Sequence, residues 1–395
     1  MKIGIIVQRY GTDITGGSEH LCRMVAERLR EKHDVAVLTT CARDYITWKN
    51  EYPEGKSDLN GVSIFRFASL RERELESFNH YSELLYRNRH TRDDELKWLQ
   101  DQGPFCPSLI ESLAEGIEEF DRLLFFTYLY YPAYHGLRIA PHKSALVPTA
   151  HDEPAIRLRI FEDVFTKPYA LIFNTEAECE FAKSIFPLKQ HLQVAGVGIE
   201  PPARINNRIF KRRQGLIEDY FYYGGRIDAG KGCQELIDFY LKKKQENPEL
   251  PMLFLSGHLS MQLPADPSIV YLGYLSEEEK QEAIQGAICV IIPSVMESLS
   301  LLLLESFASR TPVLVKETSR VLQDHCMKSN GGLFYNDYFE FSAALDYLMD
   351  HPHARRQLGL NGQRYVHNFY SWPRVVSIYE QVLRLNVDVK ENATL

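Results

Sequence analysis

Long apolar runs are missing from this chain of 395 residues. Its most apolar stretches, Ala287–Ile292 and Leu301–Leu304, fall far short of the roughly 20 apolar residues that a membrane-crossing helix needs. The opening Met1-Lys2-Ile3-Gly4-Ile5-Ile6-Val7 is too brief for a secretory leader and has the pattern of a strand. Cysteine is sparse: Cys22, Cys41, Cys106, Cys179, Cys233, Cys289 and Cys326 are scattered, odd in number, and form no CxxC pair or Cys/His cluster. Neither a disulfide framework nor a zinc site is indicated. An excess of positive charge is lacking too, with 45 Lys and Arg against 53 Asp and Glu, a net charge of −8. A surface of that sign disfavours broad binding to nucleic acid. No fixed repeat or low-complexity tract appears. With 45% hydrophobic and 25% charged residues, the chain has the balance of a globular, cytosolic protein of two or three domains.

What is present is alternation. Short β-branched or aromatic runs predict strands at Lys2–Gln8, Asp34–Thr40, Val62–Phe67, Arg122–Tyr128, Ser144–Ala150, Ala170–Asn174 and Leu192–Val197. The series resumes with Tyr220–Gly224, Met252–Ser256, Ile269–Leu272, Ala287–Ile292, Val313–Lys316 and Leu333–Tyr335. Helical patterns between them imply βαβ units, parallel sheets and an α/β class. The seam is Gly196–Asp219, where Pro201-Pro202 and Asn206-Asn207 precede the basic Lys211-Arg212-Arg213. Two α/β halves follow, with the cleft between them as the expected site. Leu70–Gly116, rich in charge of mixed sign and poor in strand formers, reads as a solvated helical insertion.

Four constellations could carry chemistry. Gly16-Gly17-Ser18-Glu19 follows the first strand and opens a helix over Glu19–Glu31. A helix N-terminus offers free N–H groups to an anion, although the pattern is equally that of a flexible turn and is no dinucleotide fingerprint. Gly224-Gly225-Arg226-Ile227-Asp228-Ala229-Gly230-Lys231-Gly232 follows the strand at Tyr220. From Gly225 it nearly matches GxxxxGK[ST], but Gly232 stands where a hydroxyl would hold Mg²⁺. A glycine-rich bend with Arg226 and Lys231 remains, both suited to phosphate oxygens, against the alternative of a solvated turn. Glu297 and Glu305 flank seven mostly apolar residues, with a helix expected from Leu299 to Ala308. Glu297 reads as a free carboxylate beside the helix N-terminus, and Glu305, inside an apolar helix, must find a partner. The alternative is a capping Glu297 and a salt-bridged Glu305. Finally, His151-Asp152 ends a strand, where open α/β sheets place their ligands, though a lone histidine is more often structural. The nearby Tyr128, Tyr130, Tyr131 and Tyr134 read more readily as packing than as a sugar platform.

Together these motifs resemble glycosyltransferase family 4, the retaining enzymes of the GT-B fold, over nearly the whole chain. Gly16-Gly17, His151-Asp152, Gly225-Arg226…Lys231-Gly232, the E-x7-E pair Glu297 and Glu305, and the closing helix Trp372–Leu385 carry the likeness. It implies two Rossmann-like parallel-sheet domains facing across a cleft: 1–198 on the acceptor side, 199–368 binding the nucleotide sugar, and 369–395 crossing back. The implied activity is retaining transfer of a sugar from a nucleotide-diphosphate donor to an acceptor hydroxyl, in polysaccharide biosynthesis. Arg226 and Lys231 would hold the diphosphate, with the N–H groups of Gly17, Ser300 and Leu301. Glu297 would contact the donor sugar, Glu305 the ribose, and His151 the sugar and acceptor. No cofactor or metal is implied. The expected partners are a UDP-, GDP- or ADP-linked sugar and a saccharide or lipid-linked acceptor, with no nucleic acid and at most peripheral contact at an inner membrane face. A sugar-nucleotide epimerase, a phosphorylase, a non-catalytic nucleotide-sugar-binding subunit and a P-loop NTPase are the competing readings. Ser300 and Glu317-Thr318-Ser319 depart from the family, where glycines are usual.

Overall fold

A computed structural model describes residues 1–14, 16–206, 208–215 and 219–385. Asn207 of the seam and residues 386–395 of the closing segment lie outside it. The chain divides into two compact units, Met1–Val197 with Val375–Leu395, and Gly198–Arg374.

Among the described residues of the first unit, eight strands form one sheet. They are β1 (Lys2–Ile6), β2 (Asp34–Thr40), β3 (Gly55–Leu59), β4 (Val62–Phe67), β5 (Arg122–Phe126), β6 (Ser144–Val147), β7 (Ala170–Phe173) and β8 (His191–Val194). Their order is β3-β4-β2-β1-β5-β6-β7-β8, parallel except where β3 runs against β4. The central strands are apolar because helices cover both faces, and Leu123–Phe126 are all buried. Strand β3 is the one the sequence patterns miss. Its Gly-Lys-Ser-Asp-Leu is polar and almost wholly exposed at the sheet edge. The signal lay in the turn: Asn60 and Gly61, with φ 52° and 78°, join β3 to β4 in the mirror-image geometry that two-residue hairpins prefer.

The insertion after β4 folds as helices Leu75–Arg87, Arg92–Gln102 and Pro107–Glu115. It is more than a solvated appendage. Leu85, Trp98, Leu99, Leu109 and Leu113 are buried in the core that also holds Leu38, Phe125 and Leu146. Removing large side chains of this kind from water is worth about 1.5–3 kcal/mol each. Residues from Val375 onward, in the helix Trp372–Leu383, count with this unit: Glu380 pairs with Lys32 at 3.1 Å and the Leu385 carbonyl accepts from Arg122.

In the second unit β9 (Tyr220–Gly224), β10 (Met252–Ser256), β11 (Ile269–Tyr271), β12 (Val290–Ile292), β13 (Val313–Lys316) and β14 (Gly332–Tyr335) form a parallel sheet. The order β11-β10-β9-β12-β13-β14 reverses direction between β9 and β12. In the first unit the reversal lies between β1 and β5. Open α/β sheets leave a crevice at the carboxyl ends of such strands, so the loops after β9 and β12 are set to meet a ligand. All seven cysteines are buried thiols, and no described helix is long and apolar enough to cross a membrane.

Candidate active site

The second unit brings most of the candidate residues into two neighbouring loops. After β9 the chain bends through Gly225 and forms a single tight turn over Ala229–Lys231 before the helix Cys233–Glu246. Asp228 organises this bend. One carboxylate oxygen accepts from the Lys231 N–H at 2.8 Å, and the other pairs with the Arg226 guanidinium. The Tyr223 hydroxyl donates to the Arg226 carbonyl at 2.7 Å, fixing the stem of the bend. Gly232 then caps the helix at φ 73°, and a Cβ there would come within 2.4 Å of the Pro293 carbonyl oxygen. A Ser or Thr at 232 is therefore excluded by the approach of the loop after β12, and the P-loop reading fails on geometry as well as on chemistry.

That second loop supplies Glu297. Its Oε1 lies 2.8 Å from Lys231 Nζ, with the two side chains 15% and 29% exposed. The carboxylate expected to stand free is thus paired, and with the very lysine assigned to phosphate. The Ser294 hydroxyl also reaches the Lys231 carbonyl, at 3.4 Å. The helix that follows runs Leu301–Ala308 rather than starting at Leu299. Ser300 is its cap, buried, at φ 72° and ψ 90°. A side chain in that region costs on the order of 1–3 kcal/mol and persists only where the surroundings impose it. This explains why glycine is natural at the position. The Ser300 and Leu301 N–H groups open the helix, where no carbonyl precedes them to accept.

Glu305 has a different neighbour. Its Oε1 lies 2.9 Å from Nζ of Lys280, which also pairs with Glu277 at 2.9 Å. Lys280 is aimed by its helix, Glu277–Gly286, which Ser276 and Glu279 start with a reciprocal capping box. Burial pushes the Glu305 carboxyl up while the Lys280 ammonium draws it down.

Gly16, Gly17 and His151 belong to the first unit. Gly16 precedes the helix Gly17–Leu29, and its lack of a side chain serves a buried ion pair: a Cβ would come within 2.1 Å of Glu19 Oε2. Glu19 Oε1 accepts from Arg9 at 2.6 Å and 2.9 Å. Gly17 has open space around it. His151, 31% exposed, follows β6 with its Nε2 3.7 Å from Glu153, whose other oxygen accepts from the Tyr128 hydroxyl at 2.6 Å. The tyrosines there are packing groups. Tyr128 meets Phe161 edge-on at 4.9 Å, Tyr130 meets Trp48 at 5.3 Å, and Tyr131 meets Phe105 at 5.1 Å.

Glu178 braces the segment that carries His151. One carboxyl oxygen accepts from the Ala150 N–H at 2.6 Å and the other from Asn174 at 2.7 Å, joining the ends of β6 and β7. Burial pushes this carboxyl up to about 8, against backbone N–H donors that favour the anion. A carboxyl raised on folding keeps its proton in the folded chain where the unfolded chain has lost it. Its stabilising contribution is then full below about pH 4.5 and falls as pH rises to about 8. The slope is at most about 1.4 kcal/mol per pH unit. Urea unfolding from pH 5 to 9 should show this slope in the parent and lose it in Glu178→Gln. Parallel curves for the two proteins would refute the assignment.

Two parallel-sheet α/β domains of this topology are the fold of the GT-B glycosyltransferases. The chain is similar to sucrose-phosphate synthase from Thermosynechococcus elongatus, with a TM-score of 0.73 at 15% identity, over 97% of this chain and 98% of that one. It is similar also to Anabaena HepE solved with UDP-glucose, with a TM-score of 0.69 at 13% identity, over 97% and 98% of the two chains. Residues 207–365 match the family described as Glycosyl transferases group 1. In sequence the chain is 21% identical over 421 residues to an uncharacterized glycosyltransferase of Methanocaldococcus jannaschii, covering 98% of this chain and 99% of that protein. That match lies within the second unit, and in sequence the chain is similar to glycosyltransferases.

Proposed function

We propose that the protein is a retaining glycosyltransferase that moves a sugar from a nucleoside-diphosphate donor to an acceptor hydroxyl without a metal ion. The observation that carries this reading is the Lys231–Glu297 pair at the sheet's switch point, beside the helix opened by Ser300 and Leu301. Breaking the bond between anomeric carbon and phosphate puts negative charge on the departing diphosphate. Lys231, Arg226 and the N–H groups at Ser300 and Leu301 are suited to hold that charge. Glu297, released from Lys231 when the phosphates arrive, is suited to the donor sugar's hydroxyls. Glu305 keeps one oxygen on Lys280 and offers the other to the ribose. His151 is assigned to the sugar and acceptor. Attack on the face that the diphosphate leaves requires no carboxylate nucleophile and retains the anomeric configuration. The acceptor classes to test are a glycan, a lipid-linked saccharide and a small metabolite. Anabaena HepE was solved with UDP-glucose, so a UDP-sugar is the first donor to try.

A thermal-shift screen over UDP, GDP, ADP and their sugars identifies the donor, and turnover with candidate acceptors follows. Activity is expected to survive excess EDTA, and the product's anomeric proton is expected to report the donor's configuration by NMR. Loss of turnover on chelation, restored by Mg²⁺ or Mn²⁺, would overturn metal independence, and an inverted product would overturn retention.

A further inference from the structure

We propose that His325 is a positioning residue for the donor loop, locking the Leu299–Ser300 turn through a directed chain of hydrogen bonds. The inference rests on the reading of that loop as the donor site. His325 lies on the helix Arg320–Ser329, 1% exposed, 26 residues along the chain from the carbonyl it touches. Its Nε2 is 3.1 Å from the Leu299 oxygen, and its Nδ1 is 3.1 Å from the Tyr365 hydroxyl. The tautomer follows from chemistry. A carbonyl only accepts, so Nε2 carries the proton. Burial holds the ring's pKa down at about 4, so the imidazole is neutral and Nδ1 keeps a lone pair. Tyr365 therefore donates its one proton to Nδ1. Tyr370, whose hydroxyl is 3.3 Å from that of Tyr365, must donate in turn. Both tyrosine rings meet the imidazole edge-on, at 5.9 Å and 5.7 Å between centroids.

The far end of the chain is anchored as well: the Tyr370 carbonyl accepts from the Ile199 N–H at 2.7 Å. The near end falls where the backbone is least comfortable. Leu299 directly precedes Ser300, held at φ 72°, and Glu297 stands two residues before it. A strained turn keeps one geometry only if its neighbours are fixed, and His325 fixes the carbonyl on one side of it. On the other side begins the helix whose first N–H groups are assigned to phosphate. A shift of about 1 Å in such groups is enough to cost on the order of 100-fold in rate. The brace thus acts on turnover through Glu297 and the helix opening, while Arg226 and Lys231, held by Asp228 on the other loop, keep their place.

The test compares His325→Leu, which keeps apolar bulk without a donor, with His325→Gln, whose amide can still donate to Leu299. Hydrogen exchange read by mass spectrometry over residues 297–304 should quicken at least tenfold in His325→Leu and stay near parental in His325→Gln. Turnover should fall at least tenfold in His325→Leu and no more than threefold in His325→Gln, while the affinity of His325→Leu for free UDP, GDP or ADP, still held by Arg226 and Lys231, falls by a smaller factor than its turnover. Tyr365→Phe keeps the ring and loses the hydroxyl, and should quicken the same exchange by a smaller factor; it carries the test if His325→Leu does not fold. Unchanged exchange in both His325→Leu and Tyr365→Phe overturns the brace. Quickened exchange with parental turnover overturns its role in positioning. A parent that binds none of the three nucleotides overturns the functional reading instead, and the exchange data still decide the brace.

Discussion

Lys231→Ala is expected to weaken nucleoside diphosphate binding ten- to a hundredfold, while Glu297→Gln leaves that binding intact or tightens it. The opposite signs follow from one ion pair. Lys231 Nζ sits 2.8 Å from Glu297, so an incoming diphosphate must compete with a carboxylate for the same ammonium. Removing the lysine deletes a charge-assisted contact worth about 1.5–3 kcal/mol and leaves Glu297 to repel the phosphates. Neutralising Glu297 removes the competitor. Turnover should nevertheless drop at least tenfold in Glu297→Gln, because the carboxylate proposed to hold the sugar is gone. Calorimetric titration of UDP, GDP and ADP into both variants measures the binding, and donor consumption measures the turnover. If both variants weaken binding to the same degree, the pair is a structural link and not a competition for phosphate.

Glu305→Gln is expected to do two things at once. Glu305 and Lys280 form a partly buried pair, 18% and 23% exposed, and breaking it leaves Lys280 with the exposed Glu277 as its ion partner among the described residues. Loss of one partner of a fully buried pair costs about 3–5 kcal/mol. The residual exposure and Glu277 bring the expectation down to roughly 1–3 kcal/mol, a drop of several degrees in Tm at about 2–4 °C per kcal/mol. The ribose assignment adds a second effect, a ten- to hundredfold loss in nucleotide affinity from weakened charge-assisted hydrogen bonds. Melting curves of the unliganded proteins beside calorimetric titrations separate the two. A variant that melts early yet binds nucleotide with parental affinity would reduce Glu305 to a core ion pair.

The fold was legible wherever burial imposed a simple pattern. Leu123–Phe126 and Val290–Ile292 are apolar throughout because both faces are covered, and their runs announce strands. Gly55–Leu59 carries no such pattern, since an exposed edge strand makes no demand on its side chains. In the candidate site, Gly225, Arg226, Lys231, Glu297 and Glu305 could be picked out because short spacings link them to strand ends and helix starts. Their partners could not. Lys231 meets Glu297 across 66 residues of chain, and Lys280 meets Glu305 across 25. The neighbouring loops after β9 and β12 create the first pair, and the packing of two helices creates the second. Asp228 was within reach, standing three residues before Lys231 where a short carboxylate caps a turn. His325 was not: nothing in the local sequence of its helix points to the Leu299 carbonyl. The insertion's charge concealed its buried side, because Leu96, Trp98 and Leu99 are the apolar residues of a helix otherwise made of polar ones.

The loops after β9 and β12 are proposed to form a nucleoside-diphosphate site built on Lys231. Calorimetric titration of UDP, GDP and ADP into the parent and Lys231→Ala, in EDTA, tests it most directly. Saturable binding of at least one nucleotide by the parent and a ten- to hundredfold loss in the variant are expected. Binding of none, or equal affinity in the two proteins, would contradict it.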